Sequence, residues 1–517
     1  MKKIMKQHSF ASRLKSLALV FGIALAFASC ANEDIAQNPN GTDNNKNFTI
    51  FSTGDPATRT SMESNGTFYW EAGDKIWVKD DNGAWQQSRN APTEKTASFK
   101  FEVPGKFTKT NTYKVYYPGQ NGNQNQVTIA ANQSQAEPNT TAHFGTSGDC
   151  GMADAAWSNT KNGFAFKLDH KAAYLLFLPR TSNTILHDCY LTGIEVNSDN
   201  DITSTYTLDP TTGELTGTGT GKQITISTGG SGTFANGFPL TNNTTSAATN
   251  GAYVVIKPGT HALKIRYWVK DVVTNVVGTI TKTLSSAIYD QNKYYNITAN
   301  LDVKDYDGDH YYMWDAQEQY WKGHEWWSAN KDQPVLNGQS NGNYPQSNTD
   351  SRLYHKGGGS GRFDATQSCA GLPNVNEMTW YAQEGDPRWD ADELWTTMGH
   401  LYKGGVWFKK KANIIGYNAN TAVDWIDWRT TNKVQNWPVS RTLPSAADAN
   451  KYFYLPALGY YGFLGHLSDV GGSAVYWSSS ASPRIGSIYG CFLEISPAFV
   501  SVNDGSRQVG YRVGGFE

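Results

Sequence analysis

Phe164-Ala165-Phe166-Lys167-Leu168-Asp169-His170-Lys171-Ala172-Ala173-Tyr174-Leu175-Leu176-Phe177-Leu178 holds two short apolar stretches in quick succession. In the first, Phe164, Phe166 and Leu168 recur at every second position, the period of a strand with one buried face. The second, Ala173–Leu178, is an apolar run of strand length. The same pattern extends toward the N-terminus. Phe48 and Ile50 alternate with polar residues, and Trp70 precedes Gly73-Asp74-Lys75-Ile76-Trp77-Val78, a Gly-Asp turn opening into a strand. Phe99/Phe101/Val103, Tyr113–Tyr117 before Pro118, and Val127–Ile129 complete the series. Many short strands at regular spacing imply an antiparallel sandwich over residues 47–180.

Residues 183–302 repeat the style with different sequence: Leu191–Val196, Ile224–Ile226, Tyr253–Ile256, Leu263–Val269 and Tyr294–Ile297, separated by loops rich in Gly, Thr and Asn. This reads as a second sandwich. After Asp302 the composition changes, and twelve of the 17 tryptophans fall in residues 303–517, with the glycine loop Gly357–Gly361. Trp389–Met398 is expected to be a helix entered from Pro387, with Trp395 and Met398 facing inward. The rest of the third block reads as loops and short strands pinned by large aromatics.

Net charge is −2 and no basic stretch follows residue 30, which excludes nucleic acid as an expected partner. Gly numbers 50, aromatics make up 13% and charged residues only 17%, a mixture that favours exported, turn-rich β structure. Lys2, Lys3, Lys6, Arg13 and Lys15 precede an apolar run from Leu17 to Phe27, then Ala28-Ser29-Cys30. That is a signal peptide ending in a lipoprotein-type site, with an apolar core too short to span a bilayer. Cys30 is the expected acylated first residue, and Glu33-Asp34 close behind it resembles a surface-export signal. Of the four remaining cysteines, separation pairs Cys150 with Cys189 and Cys369 with Cys491; free buried thiols are the alternative.

Four features stand in order behind that signal. Thr58-Arg59-Thr60 follows the first strand; then come Trp70…Gly73-Asp74-Lys-Ile76-Trp-Val78, Tyr113…Tyr116-Tyr117-Pro118 and Phe166-Lys-Leu168-Asp-His170-Lys-Ala-Ala173-Tyr-Leu. Over residues 46–302 the chain resembles the fimbrillins, pilus subunits of the Bacteroidetes. The resemblance implies a mainly β protein with two transthyretin-like antiparallel β-sandwich domains. It also implies assembly by strand exchange, in which cleavage after Arg59 releases the first strand and a neighbouring subunit's strand fills the groove. Arg59 as a plain solvated loop residue is the competing reading. Gly404-Gly405-Val406-Trp407, Tyr454-Leu455-Pro456-Ala457, Tyr476-Trp477-Ser478-Ser479-Ser480 and Arg507…Gly510-Tyr511-Arg512-Val513-Gly514 resemble the α+β C-type-lectin-like domains of tip subunits. The implied organisation is 1–29 signal peptide, 30–59 lipidated propeptide with the first strand, 60–180 and 181–302 sandwiches, and 303–517 lectin-like. The ending Gly510–Glu517 reads as an integrated last strand rather than a donor, which places the chain at a filament tip.

Calcium-dependent lectins use Glu-Pro-Asn and Trp-Asn-Asp strings. Glu137-Pro138-Asn139 lies in the first sandwich and reads as chance, and after residue 302 only Leu372-Pro373-Asn374 comes near. Asp305, Asp307 and Asp309 alternate around Gly308 and are candidate calcium ligands, although the closing Glu of an EF-hand is missing. Trp326, Trp327, Trp380, Trp389, Trp425 and Trp428 are candidates for a ligand-binding platform, with core packing the competing role for each. Glu377, Glu384, Asp386 and Asp390 could form a glycosidase pair, but no nucleophile elbow, metal helix or phosphate loop accompanies them. The expectation is a non-enzymatic fimbrial tip subunit, without cofactor, mediating cell adhesion and biofilm formation at the outer membrane surface. Its expected partners are the strand-donating neighbour, a glycan or protein ligand on a host or bacterial surface, and the outer membrane through the lipid before cleavage. An accessory fimbrial subunit and a non-polymerising surface glycan-binding lipoprotein are the alternatives.

Overall fold

The computed structural model of the chain describes residues 47–53, 61–62, 68–357, 362–484 and 488–517. Cys30, Arg59 and most of the 357–361 loop lie outside these. The described residues are mainly β, with barrel-like and sandwich-like sheets.

The first sheet runs in the order Trp85–Gln87, Trp77–Lys79, Tyr113–Tyr117, Gly151–Ser158, Gly163–Phe166, Thr49–Thr53, Lys100–Val103. Gly151–Ser158 makes the sheet turn: Gly151–Ala155 pairs with Tyr113–Tyr117, while Ala156–Ser158 pairs with Gly163–Ala165. Phe51, Val78, Phe101, Val115 and Phe164 alternate inward from five of these strands to form the core. The Gly-Asp turn has a structural reason. Gly73 takes a φ of +87°, and the buried Asp74 carboxylate accepts from Glu71 N–H at 2.8 Å and from Tyr117 OH at 2.9 Å. It thereby staples the turn to Tyr113–Tyr117, the strand that pairs with Trp77–Lys79 in the sheet.

The expected boundary at 180/181 does not follow the sheets. Ala173–Arg180 pairs antiparallel with Ala252–Ile256 and parallel with Tyr294–Asn300. Gln126–Ile129 and Asn132–Gln135 also cross over, pairing with Ser204–Leu208 and Gln223–Thr228. The second sandwich thus combines strands from both expected blocks, opposite a sheet that includes the long hairpin Gly259–Asp271/Val277–Tyr289. A single apolar core runs from Val127 to Leu301. The stretch between Phe166 and Ala173 is the crossing point between the two bodies. Buried Asp149 fixes it by accepting from Tyr174 OH at 2.5 Å and lying 3.0 Å from His170 Nδ1. Glu137-Pro138-Asn139 has a structural role there, since Asn139 Oδ1 accepts from Tyr253 OH at 3.0 Å.

In the third block, Arg388–Thr397 is a strand, not a helix, paired with His400–Lys409 and irregular between Asp390 and Leu394. The irregularity breaks the period of two, which is why the apolar spacing imitates a helical one. The helix is Val375–Gln383, and a capping box formed by Asn374 and Glu377 starts it. Tyr511–Arg512 is integrated, lying between Tyr311–Tyr312 and the strand Ala474–Ala481. Neither expected disulfide forms: Cys150, Cys189, Cys369 and Cys491 are all free and buried. They pack as small apolar residues, and burial pushes the Cys189 and Cys369 thiols up to about 12.

The second and third blocks are joined by more than the chain. Leu394 and Leu401 enter the core of the second sandwich. At the hairpin, buried Asp271 accepts from Leu401 N–H at 3.0 Å, lies 3.3 Å from His400 Nδ1, and accepts from Val273 N–H at 2.7 Å. Asn183 Nδ2 donates to Thr396 Oγ1 at 2.9 Å.

Candidate functional site

Two places in the described residues have the geometry of sites, one in the first sheet and one on the third block. Thr49–Thr53 lies inside the first sheet, not at its rim. It makes four register pairs with Lys100–Val103 in the antiparallel sense and three with Gly163–Phe166 in the parallel sense. Phe51 is fully buried, with ring centroids 5.0 Å from Phe164, 5.1 Å from Phe107 and 6.4 Å from Tyr113. Thr53 Oγ1 accepts from Phe99 N–H at 2.8 Å, and the Arg89 guanidinium stands 5.0 Å from the Phe48 ring. A strand in this position is bonded on both edges, so its departure would uncover two rows of backbone groups and an apolar slot together.

The six candidate tryptophans separate clearly. Trp380, Trp389 and Trp428 are core residues, whereas Trp425 is 68% exposed, Trp327 is 51% exposed and Trp326 is half-buried. Trp326 and Trp327 meet edge to face at 5.7 Å, and Trp425 meets Trp380 at 5.8 Å. Trp425 is held outward by a loop tied to the helix Val375–Gln383. Trp380 Nε1 donates to Thr421 O at 2.9 Å, Val423 N–H donates to Thr379 Oγ1 at 3.0 Å, and Trp428 N–H donates to Asn376 Oδ1 at 2.8 Å. Within this frame Trp425 takes a left-handed φ of 63°, a conformation that costs a bulky residue about 1–2 kcal/mol. The next residue, Ile426, is 39% exposed, and Ile415, ten positions before Trp425 in the chain, is 94% exposed. Sequence reasoning missed the two isoleucines and the backbone conformation. The available signal was the closely spaced Asp424 and Asp427 around Trp425, since Asp initiates turns through its own side chain.

The three aspartates do not converge as a set. Asp307, Asp309 and His310 place one ligand atom each within 4.8 Å of one another, but Asp305 accepts from Thr396 Oγ1 at 2.8 Å instead. His310 Nδ1 lies 2.6 Å from Asp307 and 2.5 Å from Asp309, and Arg512 lies 3.3 Å from Asp307. The hydrogen bond from His310 is the main reason the Asp307 carboxyl is held far below the usual carboxylate range. A histidine and an arginine therefore already balance this cluster.

The other carboxylates hold structure together. Glu377 closes the capping box and accepts from Tyr417 OH at 3.0 Å. Asp386 accepts from Arg388 Nε at 2.9 Å and Tyr452 OH at 2.6 Å. Asp390 accepts from Trp407 Nε1 at 3.1 Å, and the Glu384 carboxylate accepts from Gln383 Nε2 at 3.0 Å while its backbone N–H closes the helix onto Trp380 O.

No protein-family model matches the chain, and no curated protein matches it. Among solved structures, the chain is similar to a candidate cell adhesion protein from Bacteroides ovatus, at 15% identity over 48% of this chain and 92% of that one, TM-score 0.31. It is similar to a fimbrial protein from Bacteroides ovatus at 11% identity over 90% of this chain and 98% of that one, TM-score 0.29. It is also similar to the fimbrial anchor protein Mfa2 from Porphyromonas gingivalis, at 11% identity over 48% of this chain and 90% of that one, TM-score 0.23.

Proposed function

We propose that this chain is a fimbrial subunit of the fimbrillin type, delivered to the cell surface as a lipoprotein and placed at a filament tip, where its third block mediates adhesion. The observation that carries this reading is the position of Thr49–Thr53 inside the first sheet, next to the turn-prone segment that contains Arg59. Cleavage after Arg59 would detach the strand together with the lipid on Cys30. The slot around Phe107, Tyr113 and Phe164 would then accept an extended segment of a neighbouring subunit, main-chain bonds supplying affinity and an apolar side chain at the Phe51 position setting register. One feature supports the tip over the shaft: the third block shares a core with the second sandwich and presents a preformed, outward-facing aromatic loop.

N-terminal sequencing of the subunit recovered from filaments tests the mechanism: the expected first residue is Thr60, and a chain still starting at Cys30 defeats it. Immunogold labelling of sheared filaments tests the placement. Label at one end is expected, and label spread along the shaft or confined to the cell surface removes the tip assignment.

A further inference from the structure

Phe463 and Leu464 stand at the tip of a hairpin in the third block, where Leu458–Tyr461 pairs with Leu467–Val470 and Gly462 N–H closes the turn onto His466 O at 2.8 Å. Leu464 takes a left-handed φ of 62° there, a conformation that glycine adopts more readily. The two side chains are 65% and 66% exposed, yet they do not stand alone. Together with Met313, Pro345 and Leu353, which are buried or half-buried, they line a cavity of about 260 Å³. The segment that supplies Pro345 and Leu353 is braced. Arg352 binds Asp350 through Nε at 3.0 Å and NH2 at 2.8 Å, and its NH1 donates to Asn343 O at 3.0 Å.

Three polar side chains complete the lining: Tyr344, Gln346 and Gln508. Gln346 Nε2 donates to Gly342 O at 2.7 Å, which leaves its side-chain carbonyl without a partner among the described residues. The Tyr344 hydroxyl and the Gln508 amide are likewise unpartnered among them. The cavity therefore offers free donors and free acceptors. No charged residue lines it, in contrast to the cavity lined by Lys171 and Glu214 and the one lined by Lys411 and Glu517.

This inventory discriminates between ligand classes. A purely aliphatic group would cover two amides and a phenol without replacing their water, which is costly. A charged ligand would give up its hydration with no counter-charge to receive it. A neutral ring bearing hydroxyls meets both conditions: the hydroxyls pair with the free amide and phenol groups, and the C–H face lies against the Phe463 ring. The volume falls below the ~300–1,000 Å³ of pockets that enclose drug-sized molecules, which suits one ring of a longer ligand.

We propose that this cavity binds one neutral sugar residue of a glycan, with Phe463 stacked on the sugar and Tyr344, Gln346 and Gln508 hydrogen-bonded to its hydroxyls. The inference rests on the reading of the third block as the adhesive head.

The test applies the full chain to an array of neutral, sialylated and sulfated glycans. Binding to neutral glycans is expected, and it should fall at least about tenfold in Phe463→Ala, Tyr344→Phe and Gln508→Ala. Phe463→Trp keeps a ring at the tip and should retain binding, which separates lost contact from lost folding. Trp425→Ala, at an exposed indole that does not line the cavity, should change nothing. Glycan binding indifferent to the three substitutions, binding confined to charged glycans, or a silent array overturns the proposal. Phage-displayed peptides captured by the chain and lost in Phe463→Ala would give the cavity to a protein side chain and overturn it too. Adherence of cells carrying the full chain, measured against cells lacking it, reports separately on the adhesive head. Adherence with a silent array leaves that reading standing, and no difference between the two strains removes it as well.

Discussion

Truncating Phe51 to alanine is the sharpest probe of the first strand. The side chain is fully buried and touches three other rings, stacked on Phe164 at 5.0 Å and edge-on to Phe107 at 5.1 Å. Removing a buried phenylalanine costs about 3–5 kcal/mol, since the lost transfer energy is joined by the cavity that the neighbours cannot fill. The parallel and antiparallel partners on either side hold the backbone in place, so little collapse is expected and the upper half of that range applies. For a body of this size, about 4 °C of midpoint accompanies each kcal/mol, which predicts a drop of roughly 16–20 °C in the first transition of the uncleaved chain. Differential scanning calorimetry of parent and Phe51→Ala reads this directly, with the partly exposed Thr49→Ala as a control expected within about 0.5 kcal/mol of the parent. The cleaved and assembled subunit gives the second half of the test. If cleavage after Arg59 removes residue 51 with the propeptide as proposed, parent and variant filaments should melt together. A precursor that melts within about 2 °C of the parent would show that the strand is not part of the folded sheet, and the strand-exchange argument would fall with it.

Other perturbations address the remaining claims. At Trp425, Ala and Gly lose the same contact with Trp380 and differ in their tolerance of φ 63°; Trp425→Gly should exceed Trp425→Ala in stability by about 1 kcal/mol in urea titrations, and equal midpoints would deny the strain. Burial alone pushes the Asp271 carboxyl up, but hydrogen bonds from His400 and the backbone of Leu401, Val273 and Thr274 outweigh it and bring it down to about 2. Its folded value lies below its unfolded one, so it contributes roughly 2 kcal/mol above about pH 5, and that contribution is lost as pH falls toward 2. Asp271→Asn should flatten that part of the stability-against-pH curve, and an unchanged slope would place the acid sensitivity elsewhere. Cys150, Cys189, Cys369 and Cys491 should ignore a thiol reagent in the native state and all react in denaturant; an identical count before and after reduction is expected, and a rise on reduction would reveal a disulfide. Asp315 accepts from His355 Nδ1 at 2.8 Å and from the N–H groups of Thr366, Gln367 and Cys369; Asp315→Ala should cost about 3–5 kcal/mol by stranding those donors, and a change below about 1 kcal/mol would contradict the buried network.

Strand content was legible because it rests on local alternation. Tyr113–Tyr117, Trp77–Lys79 and Gly163–Phe166 form close to where the sequence pattern puts them. Sheet membership was not legible. Ala173–Arg180 follows Gly163–Phe166 by a few residues yet belongs to the other sandwich, and nothing in an apolar run states which sheet will bury it. The misplaced helix has a similar cause. Trp389, Trp395 and Met398 share a helical spacing only because the strand is irregular between Asp390 and Leu394, while the true start, Asn374…Glu377, carried a capping signature inside a string considered as a lectin motif. For the tryptophans, residue type alone cannot separate Trp425 from Trp428, three positions along. What separates them is the sign of one backbone angle and a hydrogen bond from Trp428 to Asn376, both set by contacts distant in sequence.

The stretch that reads most plainly as two strands is also what makes the chain one mechanical object. Asp169–His170 still pairs with the first sheet, and Tyr174, four residues on, is already in the second. Asp149 holds both sides at once through His170 and Tyr174. From there the core is continuous to Leu394 and Leu401 of the third block, with Asp271 fastening the far end. A buried carboxylate shared between two bodies is expensive to uncover, because opening the junction would leave its charge without donors. Flexing at either junction is therefore costly compared with an exposed linker. Asp149→Asn keeps the shape but removes the charge, and single-molecule pulling between residues 100 and 425 should then show the two sandwiches separating before either unfolds. Unfolding of the first sheet ahead of any separation, in parent and variant alike, would place the weak point in the sheet and not at the junction.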